Sequence, residues 1–430
     1  YLDLLIRNRN NGLPKVITGI RRCGKSYILN NIFKSYLIDI GVSESNIIYI
    51  DLTKISNAYY RDPIYLFEYV KALINKNEGM NYVIIDEIQE VYSIINLALT
   101  NGKHVKAKSK DNDLISFVDV VLDLSQFENV DLYITGSNSK MLSSDIITEF
   151  RDKATNIRIM PLSFDEYLNY KKSDETRALN EYMMFGGMPL AVLKNGIDKE
   201  NYLKELFEAT YFKDIIDKNN IRKEEALDEI FTLFSSCVGD LTNSEKISKL
   251  YEEKTNKKID SSTVNSYINY FIDSYIISLA TRYDLKGKRI INSTKKYYYI
   301  DTGLRNARLN FIYSDEGKML ENVIYNELIY NDYKVNVGTF DMFENDDHGK
   351  TMRKSLEIDF LATKGNRMYY IQVCDNYSND ETIKREIKLY ISLNDQIQKI
   401  IVINKSIGEH RDEYGFTIIG AVDFMLRFIK

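Results

Sequence analysis

Lys15-Val16-Ile17-Thr18-Gly19-Ile20-Arg21-Arg22-Cys23-Gly24-Lys25-Ser26-Tyr27 is the stretch whose reading decides the fold of the N-terminal region. The β-branched run 15–18 predicts a strand, and the residues from Lys25 onward carry a helical pattern. Between them the two glycines, the lysine and the serine have the GxxxxGK[ST] spacing of a loop that cradles phosphate. Glycines allow backbone N–H groups to turn inward around phosphate oxygens, and the N-terminus of the following helix adds a favourable dipole. On this reading Lys25 reaches the β- and γ-phosphates and the Ser26 hydroxyl ligates Mg²⁺. Gly19, Ile20, Arg21, Arg22, Cys23, Gly24, Lys25, Ser26 and Tyr27 are therefore the candidate nucleotide-binding segment. From average residue frequencies a chance match in a chain this long is on the order of one in a hundred. The strand-loop-helix context lowers it further.

Outward from this loop, continuous apolar runs at 46–51, 82–86, 131–135 and 156–160 alternate with helical patterns. Such runs suit strands covered on both faces, so residues 1–172 are expected to form an α/β domain with a parallel sheet. Tyr82-Val83-Ile84-Ile85 drives a strand into the core and leaves Asp86 and Glu87 at its C-terminal end, the edge where open α/β sheets collect ligands. Asp86 is the candidate metal holder and Glu87 the candidate base that polarises the attacking water. A third strand ends in Thr135-Gly136-Ser137-Asn138. Asn138 either orients that water or caps the next helix with its serine neighbours; spacing alone leaves both open. The lysine-rich interruption 101–113 reads as a solvated loop or a partner contact.

Composition bounds the rest. The chain has 430 residues with 44% hydrophobic, 28% charged and only 4 Pro, which excludes a disordered or collagen-like protein. Cys23, Cys237 and Cys374 lie far apart, as do His104, His348 and His410, so neither a disulfide framework nor a Cys/His metal site is expected. No apolar run approaches the ~18–20 residues that span a bilayer, so a cytoplasmic protein with no membrane contact is expected. The net charge of −5 gives no global field for nucleic acid. Locally the balance reverses. Residues 241–300 hold eleven Lys/Arg against six acids, a charge of +5, in a helix followed by a basic strand-turn-strand that looks like a winged helix-turn-helix. Such a segment suits salt-dependent contact with double-stranded DNA, or packing against a protein surface.

The three nucleotide-site elements, in this order, make residues 1–170 resemble the AAA+ branch of P-loop ATPases. Thr135-Gly136-Ser137-Asn138-Ser139, Pro161-Leu162-Ser163-Phe164, Gly186-Gly187-Met188-Pro189, Lys296-Tyr297-Tyr298-Tyr299-Ile300-Asp301-Thr302-Gly303-Leu304 and Glu357-Ile358-Asp359-Phe360 narrow this to one prokaryotic family. That family resembles an AAA-type ATPase fused to a winged-helix segment and a restriction-endonuclease-like C-terminal domain of unknown function. The resemblance implies ATP and Mg²⁺ as ligands, ATP hydrolysis, and a helical lid at 173–220, a winged-helix-like segment at 221–300 and a nuclease-like domain at 301–430. It also implies Asn138 as the γ-phosphate sensor. Where relatives carry Arg-Gly-Arg, this chain has Arg151-Asp152-Lys153, leaving Arg151 as the candidate arginine finger of a homo-oligomer or the solvated end of a helix. In the C-terminal domain Glu321 and Asp359 match nuclease carboxylates, but Gln372-Val373-Cys374 stands where Glu-x-Lys is required. An amide is a poor Mg²⁺ ligand and a thiol carries no positive charge, so an inactive nuclease-like domain is expected.

Overall fold

The computed structural model describes residues 1–108, 111–136, 153–312, 315–345, 351–374, 390–391, 393, 395–404 and 407–430. The chain divides into two compact units, Tyr1–Met160 with Asp273–Tyr275, and Pro161–Ile272 with Ile276–Lys430. The expected segments 173–220, 221–300 and 301–430 thus all belong to the second unit, apart from three residues.

The first unit is the expected α/β fold. Its strands are β1 (Lys15–Thr18), β2 (Ile47–Asp51), β3 (Asn81–Asp86), a short pair β4 (Ile94–Ile95) and β5 (Leu114–Ile115), β6 (Val130–Thr135) and β7 (Thr155–Arg158). Five form a parallel sheet in the order β2-β3-β6-β1-β7. All six residues of β3 are buried, as a strand covered on both faces demands. The helix Pro63–Ile74 starts on Asp62, whose carboxylate accepts from the N–H groups of Ile64 and Tyr65, with proline at the first helical position. It buries Leu66, Val70 and Ile74 at four-residue spacing, each contributing roughly 1.5–3 kcal/mol. A fully buried ion pair, Lys15 with Asp131, ties β1 to β6; deleting one partner would cost about 3–5 kcal/mol. The stretch 101–113 lies between the paired strands β4 and β5, and its His104 joins the start of the 63–74 helix through Asp62 at 2.9 Å.

In the second unit, helices Phe164–Lys171, Glu175–Phe185, Glu224–Ser236, Ser244–Thr255 and Ser261–Asp273 precede an eight-stranded sheet. The sheet contains β8 (Ile277–Asp284), β9 (Arg289–Tyr299), β10 (Lys334–Asn345), β11 (Thr351–Lys364), β12 (Arg367–Cys374), β13 (Gln398–Ile403), β14 (His410–Arg411) and β15 (Thr417–Gly420). Their order is β14-β15-β13-β12-β11-β10-β8-β9, so the basic hairpin β8–β9 is one margin of the C-terminal sheet, with β8 parallel to β10. Tyr297, Tyr298 and Tyr299 are buried.

Two of the quoted stretches meet inside this unit. The buried Asp301 carboxylate accepts from the N–H of Gly187 at 2.7 Å and of Leu304 at 3.1 Å. A Cβ at Gly186, whose φ is +66°, would fall 2.1 Å from that carboxylate, and one at Gly187 would fall 2.2 Å from the Leu162 carbonyl. Only glycine allows this approach.

Candidate nucleotide site

The site forms at the C-terminal ends of β1, β3 and β6, three adjacent parallel strands. Gly19 leaves β1 at φ +143°, and a Cβ there would sit 2.1 Å from the Ile159 carbonyl oxygen. Gly24, at φ +105°, starts the helix that runs through Lys25–Tyr27, Ile28–Phe33 and Lys34–Asp39. The loop therefore needs glycine at both ends for steric reasons. Lys25 is buried, and its ammonium donates to the carbonyls of Gly19 at 2.9 Å and Ile20 at 3.1 Å. Among the described residues those are its two hydrogen-bond partners, which leaves one of its three donors for a phosphate oxygen. Ile20 and Cys23 are buried under the loop, Arg21, Gly24 and Ser26 are half-buried, and Arg22 and Tyr27 face solvent. The Cys23 thiol lies 3.5 Å from the Ile159 carbonyl, and burial pushes it above the usual thiol range, so it packs the loop rather than acting as a nucleophile.

Beside the loop, β3 delivers Asp86 and Glu87. Asp86 is buried, and both its oxygens hold hydroxyl donors: Tyr49 of β2 at 2.7 Å and Thr135 of β6. Burial first, and the Asp86 carboxylate second, push the Tyr49 phenol above its usual range, so it remains a donor. Thr135 Oγ1 also accepts from the Glu87 N–H at 3.0 Å. One threonine thus fixes both acidic residues. Glu87 adopts a left-handed backbone conformation with φ +54°, which turns its side chain out of the strand line, and Gln89 donates to its carboxylate. Tyr49 and Thr135 escaped the sequence reading because the neighbour of β3 is set by strand order, which a local pattern does not carry. Asn138 and Arg151 lie outside the described residues; Lys153 is exposed.

The donor set suits a magnesium nucleotide: a glycine-ended loop, a buried lysine, a serine on the first helical turn and a buried carboxylate held by two hydroxyls. A family model described as "AAA domain" matches residues 11–168, enclosing all of these groups. An uncharacterized protein of Methanocaldococcus jannaschii is 31% identical over 396 residues, 87% of this chain and 77% of that protein. The chain belongs to the same family as that protein. An uncharacterized protein of Haemophilus influenzae is 27% identical over 434 residues, 99% of this chain and 98% of its own length. Beyond the AAA domain, a second model, "Domain of unknown function (DUF8612)", matches residues 176–315 and encloses both stretches that meet at Asp301. Among solved structures, the Aeropyrum pernix ORC2 protein in its ADP form aligns with a TM-score of 0.31 and 7% identity, covering 75% of this chain and 92% of that one. Cdc6p from Pyrobaculum aerophilum gives 0.26 and 12%, with the same coverages. Among the described residues no helix is long and apolar enough to cross a membrane.

Proposed function

We propose that the AAA domain binds ATP with Mg²⁺ and hydrolyses it, and that the second unit uses the nucleotide state to engage duplex DNA. The observation that carries the reading is Thr135, whose hydroxyl joins Asp86 and Glu87 beside the Gly19–Gly24 loop. Lys25 and Ser26 hold the phosphates and the metal from the loop, and Asp86 holds the metal from β3. When bound, Mg²⁺ neutralises charge developing on the phosphoryl oxygens. Glu87 takes the proton of the attacking water; Asn138 and Arg151 remain candidates for sensing the γ-phosphate and for completing a neighbouring subunit's site. The DNA reading rests on exposed cations, namely Lys246, Lys249 and Lys254 on the helix Ser244–Thr255 and Lys286, Lys288 and Arg289 at the β8–β9 turn.

A nucleotide switch with little turnover is the second reading, favoured by the Gln89 amide that restrains Glu87. One experiment separates them: fluorescent-nucleotide titration and steady-state ATP hydrolysis, across protein concentration, with and without duplex DNA. For the ATPase, Lys25→Ala abolishes binding, and Glu87→Gln preserves binding while lowering turnover by about 10²-fold or more. A Glu87→Gln protein with unaltered turnover would sink the hydrolytic reading and leave the switch. Loss of nucleotide binding from neither variant would sink both.

A further inference from the structure

The sequence reading placed no lysine at the nuclease-like cluster of the second unit, yet the fold supplies one from another strand. Lys296, on β9, is buried at 3% exposure. Its ammonium lies 2.8 Å from Glu321 Oε1, 2.7 Å from Glu357 Oε1 and 3.0 Å from Asp359 Oδ1. Three N–H donors meet three carboxylates, one from the helix Glu316–Tyr330 and two from β11, so the donor capacity of the lysine is spent. The carboxylates are themselves held. Tyr298 donates to Glu321 at 2.6 Å, and the Val373 N–H of β12 donates to Asp359 at 3.0 Å. Gln372, beside them, is engaged by the Asp359 N–H at 3.3 Å. Among the described residues no three His, Cys, Asp or Glu side chains are arranged to hold a metal ion.

A catalytic lysine in a phosphodiester-cleaving site would need a free N–H for a phosphate or a water. A lysine centred among three carboxylates is instead doing what a bound cation does. We propose that the Lys296 ammonium is a built-in cation, which fills this carboxylate cluster in place of a divalent ion and fastens the β8–β9 hairpin to the C-terminal sheet without a metal. Three carboxylates left without it are a cluster that only protons or another cation can relieve. Calcium tolerates irregular oxygen geometry and would need each oxygen to close in by about half an ångström, which side-chain rotation can supply.

The test is thermal unfolding of the full chain in nucleotide-free buffer, with EDTA or with Ca²⁺ titrated in. The proteins compared are the wild type, Asp359→Asn, Lys296→Arg, Lys296→Met, and Lys296→Met combined with Asp359→Asn. Ca²⁺ is expected to give the wild type, Lys296→Arg and Asp359→Asn no saturable stabilisation. Lys296→Met is expected to melt several degrees lower in EDTA and to recover saturably with Ca²⁺, and Asp359→Asn in the same chain should remove the recovery. If Lys296→Met does not fold in EDTA, refolding on addition of Ca²⁺ is the same result. Saturable stabilisation of the wild type that Asp359→Asn abolishes would overturn the proposal, because the cluster would then be an open metal site. So would a Lys296→Met protein, folded or unfolded, that Ca²⁺ does not help.

Discussion

At the scale of single residues, Tyr49 and Glu327 carry consequences that can be measured. The Tyr49 hydroxyl holds one Asp86 oxygen, and its loss removes a charge-assisted hydrogen bond without altering the loop. On the ATPase reading, Tyr49→Phe should leave nucleotide affinity within about twofold and lower turnover by about tenfold, ~1.4 kcal/mol. Parallel nucleotide titration and steady-state kinetics read the two effects separately, and an equal loss in both would mean that Tyr49 only supports the fold. Glu327 is buried and accepts from the Phe164 N–H at 2.7 Å. Burial pushes its carboxyl up to about 7, against the pull of that N–H. The unfolded carboxyl titrates near ~4.3, so the folded state keeps its proton between the two values. The contribution to stability is therefore complete below about pH 4 and is lost as pH rises through about 7. Glu327→Gln keeps an acceptor but no titration. Relative to it, the wild type should lose about 2–3 kcal/mol between pH 5 and pH 8, measured by urea unfolding.

At the scale of elements, the Asp301 lock joins the break after the helix Glu175–Phe185 to the start of the helix Thr302–Arg308. Its carboxylate is the acceptor for the Gly187 and Leu304 N–H groups, both away from water. Burial pushes that carboxyl up to about 6, and the backbone donors only partly offset it. Asp301→Ala strands these donors and should cost about 2–4 kcal/mol in denaturant unfolding. A change below about 0.5 kcal/mol would show that the lock is redundant. The glycines in these stretches were visible in the sequence, but their reason was not. Gly186 and Gly187 are required by an aspartate and a carbonyl that approach from distant parts of the chain.

At the scale of the whole molecule, charge decides what surface is left for a partner. The +5 of residues 241–300 includes Lys296, which is buried against carboxylates and contributes nothing to an outer field. Lys257 faces Glu225 at 3.3 Å and Lys258 faces Glu252 at 3.5 Å, although such exposed pairs remain open to competition from phosphate. If six exposed cations meet phosphates, the affinity for duplex DNA should fall with a log–log salt slope of about −5. Replacing Lys286, Lys288 and Arg289 by alanine should reduce that slope by about 3, read by fluorescence anisotropy at several salt concentrations. No retention of duplex at low salt would remove DNA as the partner.

The sequence by itself determined the nucleotide loop, the strand that carries Asp86 and Glu87, and the α/β class of the first unit. The physical reason is locality: a glycine turn, a helix start and an apolar strand are each specified by a few consecutive residues. Asn138, at the end of a local strand pattern, and Arg151, drawn from the family resemblance, fall outside the described residues. The tertiary structure alone decided that Tyr49 and Thr135 hold Asp86, because β2 and β6 flank β3 only after the sheet has been ordered. It also decided that a lysine counted with the basic surface is a buried cation at the centre of an acidic cluster. Lys296 is 63 residues from Asp359, and β9 and β11 are not neighbouring strands. No pattern of period two or 3.6 records such a distance, so the role of this residue becomes legible only when β9, β11 and the helix Glu316–Tyr330 are brought together.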